Sequence, residues 1–168
     1  MRIKWFSFVR VTGLLLVLLY HFFQRAFPGG FIGVDVFFTF SGYLITALLI
    51  DEFARNKGID IKEFLRRRFY RIVPPLVLMI LVVMPFTLLI RRDFVAGIGT
   101  QIAAAFGFMT NFYEILSGGN YESQFIPHLF VHTWSLALEM HYYILWGLAT
   151  WYLAKKSKNV GQFRGVIF

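Results

Sequence analysis

Four stretches of about twenty apolar residues constrain this chain more than any motif in it, because each is long enough to cross the hydrocarbon core of a bilayer as a helix. They run from about 8 to 27, 31 to 50, 72 to 90 and 133 to 153. A water-soluble fold of 168 residues has too little interior to hide them. Hydrophobic residues make up 58% of the chain, against roughly 45–50% in soluble proteins, and charged residues 15%, against about 25%. The first stretch reads as a span rather than a cleaved leader: no small-residue cleavage site follows it, and it runs straight into the second. No residue is cysteine, which removes disulfides, thiolate nucleophiles and cysteine-ligated zinc. The net charge of +8 would point to nucleic acid in a soluble protein; here it is a topology signal, and no nucleic-acid partner is expected.

A fifth stretch, 97–116, is weaker, with Gln101, Thr110, Asn111 and Glu114 inside it. The basic residues decide how to treat it. With four spans, both ends and the 51–71 loop share one side with fourteen of the 17 Lys and Arg residues, leaving only Arg25, Arg91 and Arg92 on the other. Letting the fifth stretch cross reduces the split to 10 against 7. Positive charge stays cytoplasmic, so the expected fold is an all-α integral membrane helix bundle of four spans, multi-pass, with both ends inside. Residues 97–116 then form a re-entrant or outer-surface helix. Asp60 and Glu63 resemble a capping box, and Ile61, Phe64, Leu65, Phe69 and Ile72 recur near helical spacing. That pattern predicts an amphipathic helix on the inner leaflet that enters the third span at Pro74–Pro75. Pro28-Gly29-Gly30 predicts a tight outer turn. The run Arg164–Phe168 has the form of another span beginning, so the chain is expected to be the N-terminal part of a longer protein.

Ionisable groups inside spans are costly and are candidate functional residues by default. In the first span Arg10 and His21 are eleven positions apart, which places them on one helix face roughly 16.5 Å apart along the axis. A snorkelling anchor and a helix-packing hydrogen bond are the alternatives for them. In the second, Asp35, Thr39, Gly42 and Thr46 form one polar, small stripe. Asp35 has either a structural partner, such as a helix-start N–H, or a catalytic role. In the fourth, His132, Ser135, Glu139 and Tyr142 form a second stripe, preceded by His128. His128 and His132 have the spacing for a metal on a helix face, but no third ligand stands at a familiar position, so no metal is expected. Ser135 lacks the Gly-x-Ser-x-Gly context of a nucleophile elbow and reads as a packing or hydrogen-bonding residue. Arg67, Arg68 and Arg71 are spaced so that they can converge on one anion, although from the residues alone anchoring at an anionic membrane face is the favoured reading. The third span carries no such group and reads as scaffold.

Four motifs in order resemble acyltransferase family 3, a family of integral membrane acyltransferases. They are Arg10 followed by Tyr20-His21; Gly30-Phe-Ile-Gly-Val-Asp35-Val-Phe-Phe-Thr-Phe-Ser41-Gly-Tyr-Leu-Ile45; Arg67-Arg68-Phe-Tyr-Arg71-Ile-Val-Pro74; and His132-Thr-Trp134-Ser135-Leu-Ala-Leu-Glu139. The match covers about residues 8–153 and is most similar to bacterial cell-envelope polysaccharide acyltransferases, including peptidoglycan O-acetyltransferases. One departure is at Met140, where the family often carries a second Glu.

The resemblance implies an enzyme of the bacterial plasma membrane. Such an enzyme moves an acyl group, commonly acetyl, from cytoplasmic acyl-CoA to a hydroxyl of an extracytoplasmic glycan such as peptidoglycan. It has no permanently bound cofactor; acetyl-CoA is a substrate. His21 is then the general base, Asp35 or Glu139 orients it or binds sugar hydroxyls, and Arg10, Arg67, Arg68 and Arg71 bind the donor. Trp134, Ser135 and Ser41 are substrate-binding or structural. The family usually has about ten spans, often with an SGNH-type domain after them. The alternative from another class is a transporter or flippase subunit for an acyl or glycan carrier, because polar stripes in a bundle also fit a substrate pathway.

Overall fold

A computed structural model describes residues 4–90, 97–117 and 128–167. Among them all regular structure is helical. Arg2, Arg91 and Arg92 of the charge count, and Phe168 of the tail, lie outside the described residues. The chain divides into two compact units, Met1–Ile59 with Ser157–Phe168, and Asp60–Lys156.

The first unit holds α1 (Lys4–Phe22), a 3-10 turn at Pro28–Phe31, α2 (Ile32–Asn56) and α7 (Val160–Ile167). The expected outer turn is that 3-10 turn, with Pro at its start, where a missing N–H costs nothing. Helix α1 packs on α2 through glycines: a Cβ on Gly33 would lie 2.4 Å from the Gly13 carbonyl oxygen. At the far end of α2, Phe53 is buried against Phe163 of α7, ring centroids 4.5 Å apart.

The second unit holds α3 (Ile61–Ile90), α4 (Ile98–Phe106), α5 (Thr110–Leu116), a 3-10 turn at Val131–Thr133 and α6 (Trp134–Lys156). Asp60 caps α3 as expected, its carboxylate accepting the Glu63 N–H at 3.0 Å. The segment expected to be amphipathic is continuous with the third apolar stretch, with no break at Pro74–Pro75. Helix α3 runs unbroken for 30 residues with Pro74, Pro75 and Pro85 inside it. Prolines remove ladder bonds to the carbonyls four residues back, here those of Tyr70, Arg71 and Leu81, and a neighbouring helix makes such losses tolerable in an apolar setting. Leu76, Ile80, Ile98, Ala105 and Phe130 form the buried core of this unit.

Residues 97–116 make two short helices rather than one span. Nine and seven residues reach only ~13 Å and ~10 Å, and Phe108 at φ 53 turns the chain between them. The pair grips the entry to α6: Thr110 and Thr133 share a buried hydroxyl hydrogen bond of 2.8 Å, Gln101 accepts the Phe130 N–H at 3.4 Å, and His128 meets Glu114 at 2.7 Å. Two helical segments, Pro28–Asn56 and Ile61–Thr87, are long and apolar enough to cross a membrane.

Candidate functional site

The antiparallel packing of α3 against α6 leaves a cleft of about 520 Å³ within the second unit. Arg71, Ile72, Pro75, Leu76 and Met79 form the α3 wall; His132, Thr133, Ser135, Leu136 and Glu139 form the other. A mostly apolar concavity of this size with a few convergent polar groups is the usual form of a small-ligand site. The stretch read as scaffold thus lines one wall of the cleft. Arg71, expected at the cytoplasmic face, and Glu139, expected in the outer half, border the same space. Because α3 starts at Ile61 and does not break at the prolines, Arg71 stands three turns into a helix instead of at its mouth.

Three members of the fourth-span stripe reach this cleft together: His132, Ser135 and Glu139. The fourth, Tyr142, stacks on Trp146 at 6.1 Å. The Ser135 hydroxyl donates to the His132 carbonyl at 3.2 Å, and Trp134 is half-buried at the first position of α6. His128 and His132 do not share a helix face, since α6 begins only at Trp134 and His128 is engaged by Glu114.

Of the arginines of α3, the three at 67, 68 and 71 have different surroundings. Arg67 is exposed and faces Glu63 at 3.5 Å. Arg71 borders the cleft. Arg68 turns inward between two rings, its guanidinium carbon 5.5 Å from the Phe64 centroid and 5.7 Å from that of Tyr143. Its Nε is buried and has no hydrogen-bond partner among the described residues. Tyr143, which sequence reading passed over, is 2% exposed and donates its hydroxyl to the Glu139 carboxylate. Its signal was present: it stands at i+4 from Glu139, on the same helix face.

In the first unit one continuous helix carries Arg10 and His21, so their eleven-residue spacing does put them on one face. The His21 Nδ1 lies 2.8 Å from the Val17 carbonyl. A carbonyl only accepts, so Nδ1 carries the proton and Nε2 is the basic nitrogen of the neutral ring. The Tyr20 ring meets His21 edge-on at 5.4 Å. Asp35 is exposed in the first turn of α2, where the helix dipole favours a carboxylate. The second-span stripe is buried only at its far end, where Thr46 donates back to Gly42 at 2.8 Å; Ser41 is half-buried.

Residues 3–161 match the acyltransferase domain of the acyltransferase 3 type. The O-acetyltransferase OatA of Staphylococcus aureus (strain NCTC 8325 / PS 47) is 36% identical over 150 residues, 89% of this chain and 25% of that protein. A second S. aureus protein, SACOL0978 of strain COL, is 38% identical over 136 residues, 81% of this chain and 22% of its own. No solved structure matches. The chain spans about a quarter of the length of the curated relatives it matches. With a family match across nearly its whole length, the chain belongs to acyltransferase family 3.

Proposed function

We propose that this chain forms part of a membrane O-acetyltransferase that carries an acetyl group from cytoplasmic acetyl-CoA to a hydroxyl of an extracytoplasmic envelope glycan such as peptidoglycan. The observation that carries the reading is the α3–α6 cleft, where Arg71, His132, Ser135 and Glu139 border one apolar space inside an acyltransferase-family domain. The S. aureus relative OatA bears the name O-acetyltransferase. In this reading the acceptor oxygen attacks the thioester carbonyl, a C–O bond forms, the C–S bond breaks, and the hydroxyl proton passes through the base to the departing CoA thiolate. His21 supplies the base through Nε2, the nitrogen left basic by the Val17 contact. Asp35 or Glu139 orients the base or binds acceptor hydroxyls. Of the four arginines expected to bind the donor, Arg10, Arg67 and Arg71 hold its anionic groups, for which guanidinium forks suit phosphate, and Arg68, turned inward against Tyr143, is given another role below. Trp134 and Ser41 shape the surroundings. Four spans with both ends cytoplasmic, in a bacterial plasma membrane, complete the reading, with an SGNH-type domain in the same full-length chain.

Release of CoA thiol from acetyl-CoA by the complete gene product in vesicles, dependent on added peptidoglycan fragments, is the test. His21→Ala and Arg10→Ala should each lower this release by at least 10²-fold while insertion is unchanged. Retained transfer in His21→Ala would remove the base assignment. Glycan movement without covalent change would replace the enzyme reading with a transporter.

A further inference from the structure

Glu139 reaches the α3–α6 cleft with its carboxylate already engaged from behind. One turn further along α6, Tyr143 is almost wholly buried, and its hydroxyl donates to that carboxylate. Packing alone asks only for a ring at this position, and phenylalanine would supply it. A buried hydroxyl without a partner is costly, so tyrosine is retained where its partner matters. The ring is held in its turn. Arg68 lies against one face of it and Phe64 against the guanidinium. Phe64 fits closely because residue 147 is glycine: a Cβ there would stand 3.0 Å from the Phe64 ring and from Ile61. The Arg68 Nε is buried with no hydrogen-bond partner among the described residues. Leaving a guanidinium donor orphaned costs stability that a hydrocarbon side chain would not. Its position therefore points to a task for the cation behind Tyr143, and that task faces Glu139.

We propose that Tyr143 is a positioning residue: its hydroxyl fixes the Glu139 carboxylate toward the cleft, and Arg68, clasped between Phe64 and Tyr143, fixes the tyrosine ring. Arg68 thereby acts on the site from the interior, unlike Arg71, which borders the cleft itself. The proposal rests on the reading of Glu139 as a working carboxylate of the site. It assigns two separable duties to Tyr143, one to the hydroxyl and one to the ring.

Both duties are read by acetyl-CoA turnover with peptidoglycan fragments, using the complete gene product in membrane vesicles. Tyr143→Phe removes only the hydroxyl. It should lower kcat about 10- to 100-fold, the range expected for losing a hydrogen bond to a charged group. The KM for acetyl-CoA should stay within about twofold, and membrane level and melting temperature should match the parent. Tyr143→Leu, which also frees Arg68, should lower kcat further. Glu139→Gln separates the two readings. If Glu139→Gln turns over like the parent, the carboxylate reading of the cleft falls and this proposal with it. If Glu139→Gln is inactive while Tyr143→Phe keeps its kcat, the positioning role alone is overturned. It is overturned equally if Tyr143→Phe changes KM and not kcat, or if its loss tracks the amount of folded protein.

Discussion

At the contact between α1 and α2, the absence of single methyl groups sets how closely two helices approach. A Cβ on Gly30 would lie 2.4 Å from the Leu16 carbonyl oxygen, and one on Gly33 at 2.4 Å from that of Gly13. Both obstacles are backbone, which cannot swing away as a flexible side chain does. Gly13 itself is less confined, its nearest neighbour being 3.3 Å away, and Gly29 has open space. Gly33→Ala should therefore destabilise the first unit by about 1–3 kcal/mol, as overpacking does, with Gly13→Ala milder and Gly29→Ala close to neutral. Thermal unfolding in detergent checks the order; an equal effect of Gly29→Ala and Gly33→Ala would contradict it. Sequence reading places Gly42 in a stripe of polar and small residues on the second apolar stretch. In the structure, backbone of α1 closely approaches Gly30 and Gly33; a stripe of small residues says that helices can meet without saying where they cross.

Helix ends and breaks decide more at the next scale. The last turn of α2 closes on Lys57 in the left-handed conformation, φ 56, with its N–H donating to the Phe53 carbonyl at 2.9 Å. Glycine takes that conformation without the steric cost a Cβ imposes. Lys57→Gly should raise stability by about 0.5–1 kcal/mol, read as a higher melting temperature; a lower one would show that the lysine side chain matters more than its backbone. At α3, the prolines invite the expectation of two elements meeting at 74–75, and the structure has one. Propensity is local, whereas the packing of Leu76 and Ile80 into the core and of Phe64 opposite Gly147 draws both halves of α3 onto its neighbours. The cap at Asp60 was legible, since a side chain three residues from its N–H partner needs no tertiary information.

For the molecule as a whole, charge distribution sets the expected orientation in the membrane. The last turns of α6 add an interface signature: Lys155 lies 3.8 Å over the Trp151 ring and Lys156 4.5 Å over that of Tyr152. Such aromatic–cation pairs belong at the boundary of lipid and water. The absence of cysteine makes the arrangement directly measurable. Gly29→Cys and Gly58→Cys both sit where an added Cβ meets nothing within 4 Å. An impermeant maleimide added to intact cells should label Gly29→Cys at once and Gly58→Cys only after permeabilisation. Labelling of both from outside would refute the four-span topology with cytoplasmic ends.

The amino-acid sequence by itself determined that this chain is helical and apolar, and which family it belongs to; from its basic residues comes an expected orientation. Each of these follows from residue type and spacing along the chain: His21, for example, shares a face with Arg10 because helical pitch is constant. Only the tertiary structure decided what surrounds Arg67, Arg68 and Arg71, that α3 walls a cleft with Glu139, and that Tyr143 stands behind that carboxylate. Spacing gives the angle at which a side chain leaves its own helix. The neighbour it meets there depends on the register between helices, and that is set by how all the contacts along both of them fit at once.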